Sequence, residues 1–325
     1  MSLGRPSAVV SIAGQQLSSA EGAILWLRAT LSVDGAHDAV ELRLWTPSKF
    51  SAATPGDALS LALGDVGSEE ALFTGTVTAV HQGPDGCSCR ALAATWPLSD
   101  TWVSKSYVGQ TVGDIVRDLA GAVAIDSVDA ALPLAAWHVD NARPVWSHLQ
   151  TLARLSGCDL AAAADGGLRF VPVDGGLFPK RLRHGAELLD WDLSRSTAAT
   201  PPAVVAHGAG SEAGSSRAHW LRHGVAGSAS RSVGGLATAD AAEQAGKALA
   251  ERASRAAIRG RLLIVGDAAI RAGDAIELAD LPGGDPGALR VTAVEHTLDS
   301  RSGFLTRLNV EGAGGGGAGL GGLGL

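Results

Sequence analysis

Three groupings of side chains in this sequence have the residue types and spacing of chemical sites. Cys87 and Cys89 alternate along a run of strand-forming residues, so both fall on one face, with His81 shortly before them. Thiolates and imidazole are zinc ligands, but a closed zinc site needs more of them than this stretch supplies, and buried thiols are the other reading. His207, His219 and His223 form the second grouping. His219 and His223 have the spacing that would align two ligands on a helix, whereas Gly224 and Gly227 beside them predict a loop. The third is "GAGSEA" from Gly208, which fits the loose G-x-G-x-x-G/A dinucleotide fingerprint and follows the strand-like "AVVAH". No amphipathic helix follows it, and no strand ending in an acid lies at the required distance, so tight β turns account better for its glycines. There is no G-x-S-x-G elbow, His148 has no partner in view, and the carboxylates are scattered with no pair set for acid–base work. No catalytic residue, cofactor or metal site is assigned, and the expectation is a protein that is not an enzyme.

The elements that would have to carry such sites read as mostly strand. The chain has 325 residues, 46% apolar and 18% charged, which is enough for two or three domains with real cores. Its many glycines punctuate short apolar runs, the mark of a β-rich fold with frequent turns. The net charge of −7 and the lack of a basic stripe argue against stable nucleic-acid binding. No apolar run approaches the ~20 residues that span a bilayer, and no leader pattern opens the sequence, so neither membrane binding nor a signal peptide is expected. Three cysteines are too few and odd in number for a disulfide framework.

One pattern recurs. "AVV" begins at Ala8 and again at Ala203, "GDA" at Gly56 and again at Gly273, and "VTAV" at Val77 and again at Val291, in the same order. Leu59, Leu61 and Leu63 share one strand face in the first copy, and Ile276 and Leu278 take the matching positions in the second. A turn and a last strand follow each "VTAV". Each copy therefore reads as the same small barrel of short strands. The second is longer by a helical segment from Thr238, with Asp240 and Glu243 resembling a capping box and Ala241, Ala245, Ala248, Leu249 and Ala256 on one face. It reads either as an interface helix or as a plug for one barrel end.

Between the copies the period changes. Val112, Ile115, Val116 and Leu119 follow the candidate N-cap Thr111, and Val145, Leu149, Leu152 and Leu155 precede the stop at Gly157. With the strand-like "GLRFVPV" these predict a small α/β module. The expected organisation is a mainly β (α+β) fold: a first tube-like barrel over 1–98, the α/β module over 99–185, a second barrel with an inserted helix over 186–311, and a Gly-rich tail over 312–325. Leu320, Leu323 and Leu325 in that tail read either as docking residues or as part of a disordered end.

The run "PGDALSLALG…ALFTGTVTAVHQGPDG" followed by "SKSYVGQTVGDIVRDLA", the middle "VWSHLQTLARLSGCDLAAAADGGLRFVP" and the closing "IRAGDAIELADLP…VTAVEHTLDSRSGFLTRL" resemble the late control protein D family of contractile-tailed phages. The hubs of extracellular contractile injection systems and the N-terminal part of type VI spike proteins are similar. The resemblance covers roughly residues 8 to 311. It implies a baseplate hub: a homotrimer whose barrels ring a channel, adapting a hexameric inner tube to a trimeric spike. The implied partners are the inner tube protein, a separate spike protein and other baseplate proteins, with assembly in the bacterial cytoplasm into a tail or injection particle. The ring framework is expected in the "GDA" hairpins and "VTAV" strands, at Gly56, Asp57, Leu59, Leu61, Val77 and Val80 and at Gly273, Asp274, Ile276, Leu278, Val291 and Val294. Two alternatives of other classes stand beside it. One is a cell-wall hydrolase on a β scaffold. The other is a glycan-binding tail-tip module using Trp45, Trp96 or Trp102, which otherwise read as core or barrel-end residues.

Overall fold

Period-two alternation builds the first half of the chain. Strands β1 (Pro6–Ile12), β2 (Gln15–Ser18), β3 (Ile24–Ser32), β4 (Ala39–Leu44), β5 (Ala58–Asp65), β6 (Glu70–Gly83) and β7 (Gly86–Ala93) are antiparallel neighbours in the order β3-β4-β7-β6-β5-β1-β2. Alternate residues such as Val10, Leu27, Leu42, Leu61 and Cys89 are buried and form one apolar cluster. With strands about 4.8 Å apart, a flat sheet could not bring its two ends into one cluster, so the sheet curls around this core. The structure is a computed structural model that describes residues 5–19, 24–33, 37–45, 53–84, 86–174, 178–197, 204–211, 218–223 and 229–314; for 204–232 it describes backbone alone.

The middle segment comprises β8 (Lys105–Thr111), α1 (Val112–Ala120), β9 (Ile125–Val128), β10 (Pro133–Val139), α2 (Val145–Ser156), β11 (Cys158–Ala162) and β12 (Leu168–Pro172). Thr111 caps α1 as its type predicts: its hydroxyl accepts from the Asp114 amide, and the Asp114 carboxylate accepts from the Thr111 amide. Gly157 ends α2 in the left-handed region at φ +70°, with Ala248 of a later helix 3.0 Å from where a Cβ would sit. All the apolar positions read for α1 and α2 are buried.

The second half repeats the first. It contains β13 (Lys180–Arg183), β14 (Leu188–Arg195), β15 (Val204–Ser211), β16 (Ala218–His223), β17 (Ala229–Ser232), α3 (Ala239–Arg255), β18 (Ile258–Val265), β19 (Ala275–Ala279), β20 (Ala288–Asp299) and β21 (Gly303–Gly312). The order β14-β18-β21-β20-β19 matches β3-β4-β7-β6-β5, and it encloses a second core that includes Leu262, Ile276, Leu278, Val291 and Leu308.

The two "GDA" hairpins agree bond for bond. Gly56 and Gly273 both have φ +103°. The Gly56 amide donates to Val77 O and the Gly273 amide to Val291 O, each at 2.8 Å. Asp57 accepts from the Thr54 amide at 2.8 Å and Asp274 from the Arg271 amide at 2.7 Å. Each following strand then shifts register at the same place, between Val77 and Ala79 and between Val291 and Ala293. The barrel duplication read from these words is present.

The "AVV" word is not part of it. Ala203 lies outside the described residues, and the strand after it, β15, pairs with β16 and β17 in a separate three-stranded sheet. The place beside β19 that corresponds to β1 is filled by β13, which runs parallel to β19. Ala and Val are common enough here that a three-letter word recurs without structural meaning. The helix α3 also differs from expectation. Its cap is the Thr238 hydroxyl, which accepts from the Ala241 amide, in place of an Asp240–Glu243 box. It plugs neither barrel: Leu236, Ala241 and Ala245 are buried in the cluster built by α1 and α2.

Candidate assembly interface

Among the described strands, one pair joins the two halves. β20 of the second copy lies antiparallel to β3 of the first, with Ala293 opposite Ser32, Glu295 opposite Thr30 and Asp299 opposite Trp26. One sheet therefore runs through both copies, in the order β14-β18-β21-β20-β3-β4-β7-β6-β5-β1-β2. Its outward face carries a charged ladder that crosses the joint: Arg90–Glu41 at 3.8 Å, Glu41–Arg28 at 3.8 Å, Arg28–Glu295 at 3.6 Å and Glu295–Arg307 at 2.8 Å. A cleft of about 1070 Å³ beside it is lined by Glu41, Arg43, His81 and Arg90 of the first copy and by Asp299 and Arg301 of the second. These exposed pairs contribute little to stability singly, but they set which strand can lie beside which.

Two edges in the sheet correspond to the joined pair and stay open. β14 is the counterpart of β3, and among the described strands it has β18 as its one neighbour. β6 beyond its bulge is the counterpart of β20. It has β7 on one side, and among the described residues no strand lies against Ala79–His81 on the other. Both edges are accessible: Ala79, His81, Asp192 and Ser194 are exposed, and Leu189 at the start of β14 is 49% exposed.

The framework residues lie just inside these edges. Leu59, Leu61 and Val77 are buried in the first core, and Ile276, Leu278, Val291 and Val294 in the second, with Val80 partly covered. Gly56, Asp57, Gly273 and Asp274 form the turns that lead into β5 and β19. Their apolar side chains point into the barrels. Asp in place of Leu61 or Leu278 would bury an unpaired charge and unfold a barrel, so it does not probe a contact between chains. Leu320, Leu323 and Leu325 lie outside the described residues.

The groupings with chemical spacing resolve into structure. Cys87 and Cys89 share the buried face, Sγ to Sγ 3.8 Å, and burial followed by the neighbouring thiol pushes Cys89 up to about 12. His81 is exposed on the opposite face, across from Ser88. Among the described residues no group of three metal-ligating side chains converges. His219 and His223 belong to strand β16, where a loop was expected, and Gly208 and Gly210 are paired inside β15, an extended run unlike a phosphate-binding turn. Glu212 and Ala213 of the fingerprint lie outside the described residues. His148 is fully buried, with Nε2 3.0 Å from Asp140 O and Nδ1 3.4 Å from Arg143. Trp96 is half-buried, and Trp45 and Trp102 are each 53% exposed, which sets aside the core alternative for those two.

One buried ionic cluster had no signal in the sequence. Arg290, 2% exposed, contacts Asp159 of the middle segment and lies 3.3 Å from Glu311, which also meets Arg255 at 3.2 Å. Burial raises the Asp159 carboxyl despite Arg290 beside it. In the first copy Thr76 takes Arg290's place, opposite Ala58 as Arg290 is opposite Ala275. Asp38 lines the same cleft as Asp159 and is pushed up by burial to about 7, but it accepts from the Ser32 amide and staples the β3–β4 connection. Both perturbed carboxylates are thus engaged by the fold itself. Among the described residues no helix is long and apolar enough to cross a membrane.

No family model matches this sequence, and no curated protein matches it. Solved structures do. The 43 kDa tail protein of prophage MuSo2 from Shewanella oneidensis aligns over 94% of this chain and 98% of its own, at 16% identity and a TM-score of 0.67. The tail protein from Neisseria meningitidis MC58 aligns over 94% and 96%, at 14% identity and 0.72. An E. coli component of the type VI secretion system, with structural similarity to T4 bacteriophage tail proteins, aligns over 93% and 76%, at 10% identity and 0.61. Identities this low speak for fold and leave residue roles to the site itself. Over nearly its whole length, this chain has the fold of these tail proteins.

Proposed function

We propose that this protein is a structural, non-enzymatic hub of a contractile tail or injection baseplate. Three copies form a ring that adapts the sixfold inner tube to the threefold spike and leaves a channel between them. The observation that carries this reading is the internal duplication, joined edge to edge through β3 and β20 on a fold shared with tail proteins. A ring of three such chains presents six similar barrels to a sixfold tube while keeping threefold symmetry for a spike. The polar outward face of the sheet lines the channel in this reading. Its arginines alternate with acids along the ladder, so it holds passing polyanions weakly. Rotational averages of the assembled protein by electron microscopy should show six peripheral lobes around a hole. A closed ring with any other number of lobes would refute the symmetry argument.

A glycan-binding tip is the second reading, favoured by the exposure of Trp45 and Trp102. It predicts quenching of tryptophan fluorescence by cell-surface glycans, lost in Trp45→Ala and Trp102→Ala.

A further inference from the structure

Helix α3 leads from the middle segment to the end of the second barrel's sheet. Ala241 and Ala245 are buried in the cluster of the middle segment, and Arg255 meets Glu311 of β21 at 3.2 Å. Strand β18 starts two residues after Ala256 and runs antiparallel to β21, with Arg259 opposite Glu311. The chain leaving β21 therefore departs where α3 arrives. Gly314, the last described residue, lies against that point: a Cβ on it would be 2.7 Å from Arg255 Cγ.

The stripe of α3 that carries Arg255 also carries Gln244 and Ala248. At 3.6 residues per turn the three fall within about 40° of one another. Gly157 packs against Ala248. Beside that contact lies a cavity of about 170 Å³ lined by Ala130, Ala131, Leu132, Pro172, Cys158 and Gln244. The Cys158 thiol is 3.7 Å from Asp129 O and 3.8 Å from Ser156 O, so it is already engaged. What remains for a guest is mostly aliphatic. A cavity of about 150 Å³ takes a benzene-sized guest, so this one has room for a leucine side chain.

We infer that the segment after Gly314 turns back along α3 and seats Leu320 in this cavity. The length fits. Gln244 precedes Arg255 by eleven residues, about 16 Å along a helix. Leu320 follows Gly314 by six residues, a reach of at most about 20–22 Å. Between them stand Gly315, Gly316, Gly317, Ala318 and Gly319, none with a side chain beyond a methyl, so the backbone can lie close to the helix. Leu320 is the first residue after Gly314 with enough apolar surface to fill the cavity. One buried leucine offsets only part of the entropy lost by ordering so many glycines. The docked segment therefore exchanges with a free one, and a partner that offers a better groove can take it.

Disulfide trapping tests this on the full-length protein. Leu320→Cys, mildly oxidised, should form an internal disulfide with Cys158, located by peptide mass mapping. Cys87 and Cys89 are buried and should stay reduced. A freely moving tail has nearly the same effective concentration at each of its positions, whereas a docked one does not. Leu320→Cys should therefore react at least about fivefold faster than Gly316→Cys or Leu323→Cys. Gln244 is exposed at the rim of the cavity, so Gln244→Cys/Leu320→Cys in a Cys158→Ser background repeats the test without the engaged native thiol. Equal rates from the three tail positions, or no internal disulfide in either protein, would overturn the inference. Covalent dimers in place of internal disulfides would place the tail on another chain and overturn it as well.

Discussion

Arg28 of the first copy and Glu295 of the second approach to 3.6 Å across the strand pair that joins the two halves into one sheet. Both are partly solvated, so the contact selects partners more than it stabilises. Arg28→Glu should cost under about 1 kcal/mol in stability. Adding Glu295→Arg should restore the part carried by this pair, while the swapped charges still meet Glu41 and Arg307 with like sign. A double mutant as unstable as the sum of its parts would show that the pair does not act across the joint.

Gly56 and Gly273 share one backbone conformation in two equivalent turns, both at φ +103°. A Cβ would meet nothing within 4 Å at Gly56 and only ordinary contacts at Gly273. The penalty for alanine is therefore conformational and should match, at about 1–2 kcal/mol for each site. Thermal unfolding of the two single variants compares them. Penalties differing severalfold would mean that the turns are not equivalent.

Arg290 ties the second barrel to the middle segment through Asp159 and to Glu311 on the adjacent strand. Arg290→Met would leave the partly buried Asp159 without its close partner and Glu311 with Arg255 alone, and should cost roughly 3 kcal/mol. Asp159→Asn added to it should recover part of the loss. Guanidinium unfolding measures both, and a neutral Arg290→Met would contradict the cluster's role.

Acid should destabilise the fold. His296 is fully buried, and burial, more than nearby Arg271, pushes it from 6.5 down to about 4. Between those values the unfolded chain binds more protons than the folded one. Stability present above pH 6.5 is thus lost as pH falls, by up to about 1.4 kcal/mol per pH unit from this residue. His37, also lowered by burial to about 4, acts in the same direction, though its partial exposure reduces the effect. Asp38 opposes them: raised by burial to about 7, it holds a proton in the folded state that the unfolded chain lacks, so its contribution falls as pH rises from about 4 to 7. Asp159, also raised by burial but held back by Arg290, acts in the same direction as Asp38; the two histidines dominate above pH 5, and the urea midpoint should drop between about pH 6.5 and 5. His296→Gln should shrink that drop and Asp38→Asn should deepen it. A midpoint that climbs on acidification would refute this balance.

The repeat was legible because a "GDA" turn and a bulged "VTAV" strand are local: a glycine with positive φ, an aspartate accepting from the chain behind it, and alternating burial all leave marks within a dozen residues. The helices α1 and α2 were legible for the same reason, through Thr111, Gly157 and their apolar faces. "AVV" misled because three common residues carry no turn, cap or period that only one structure can satisfy. The joint between β3 and β20 left no mark, since the pairing of Thr30 with Glu295 depends on chain contacts hundreds of residues apart. The same holds for Arg290 with Asp159: a lone arginine in a strand reads as an outward charge until the segment that covers it is known. The apolar framework residues turn into their own barrels, which the sequence left open, because an apolar stripe marks a covered face without saying whether its own barrel or a neighbour covers it.

The central claim is that three copies of this chain form the ring proposed above. The measurement that tests it most directly is the solution mass of the purified full-length protein, alone and with its candidate tube and spike proteins, across a range of concentrations. The account predicts a trimer, alone or on addition of those partners. A monomer that persists at every concentration and ignores both would contradict it.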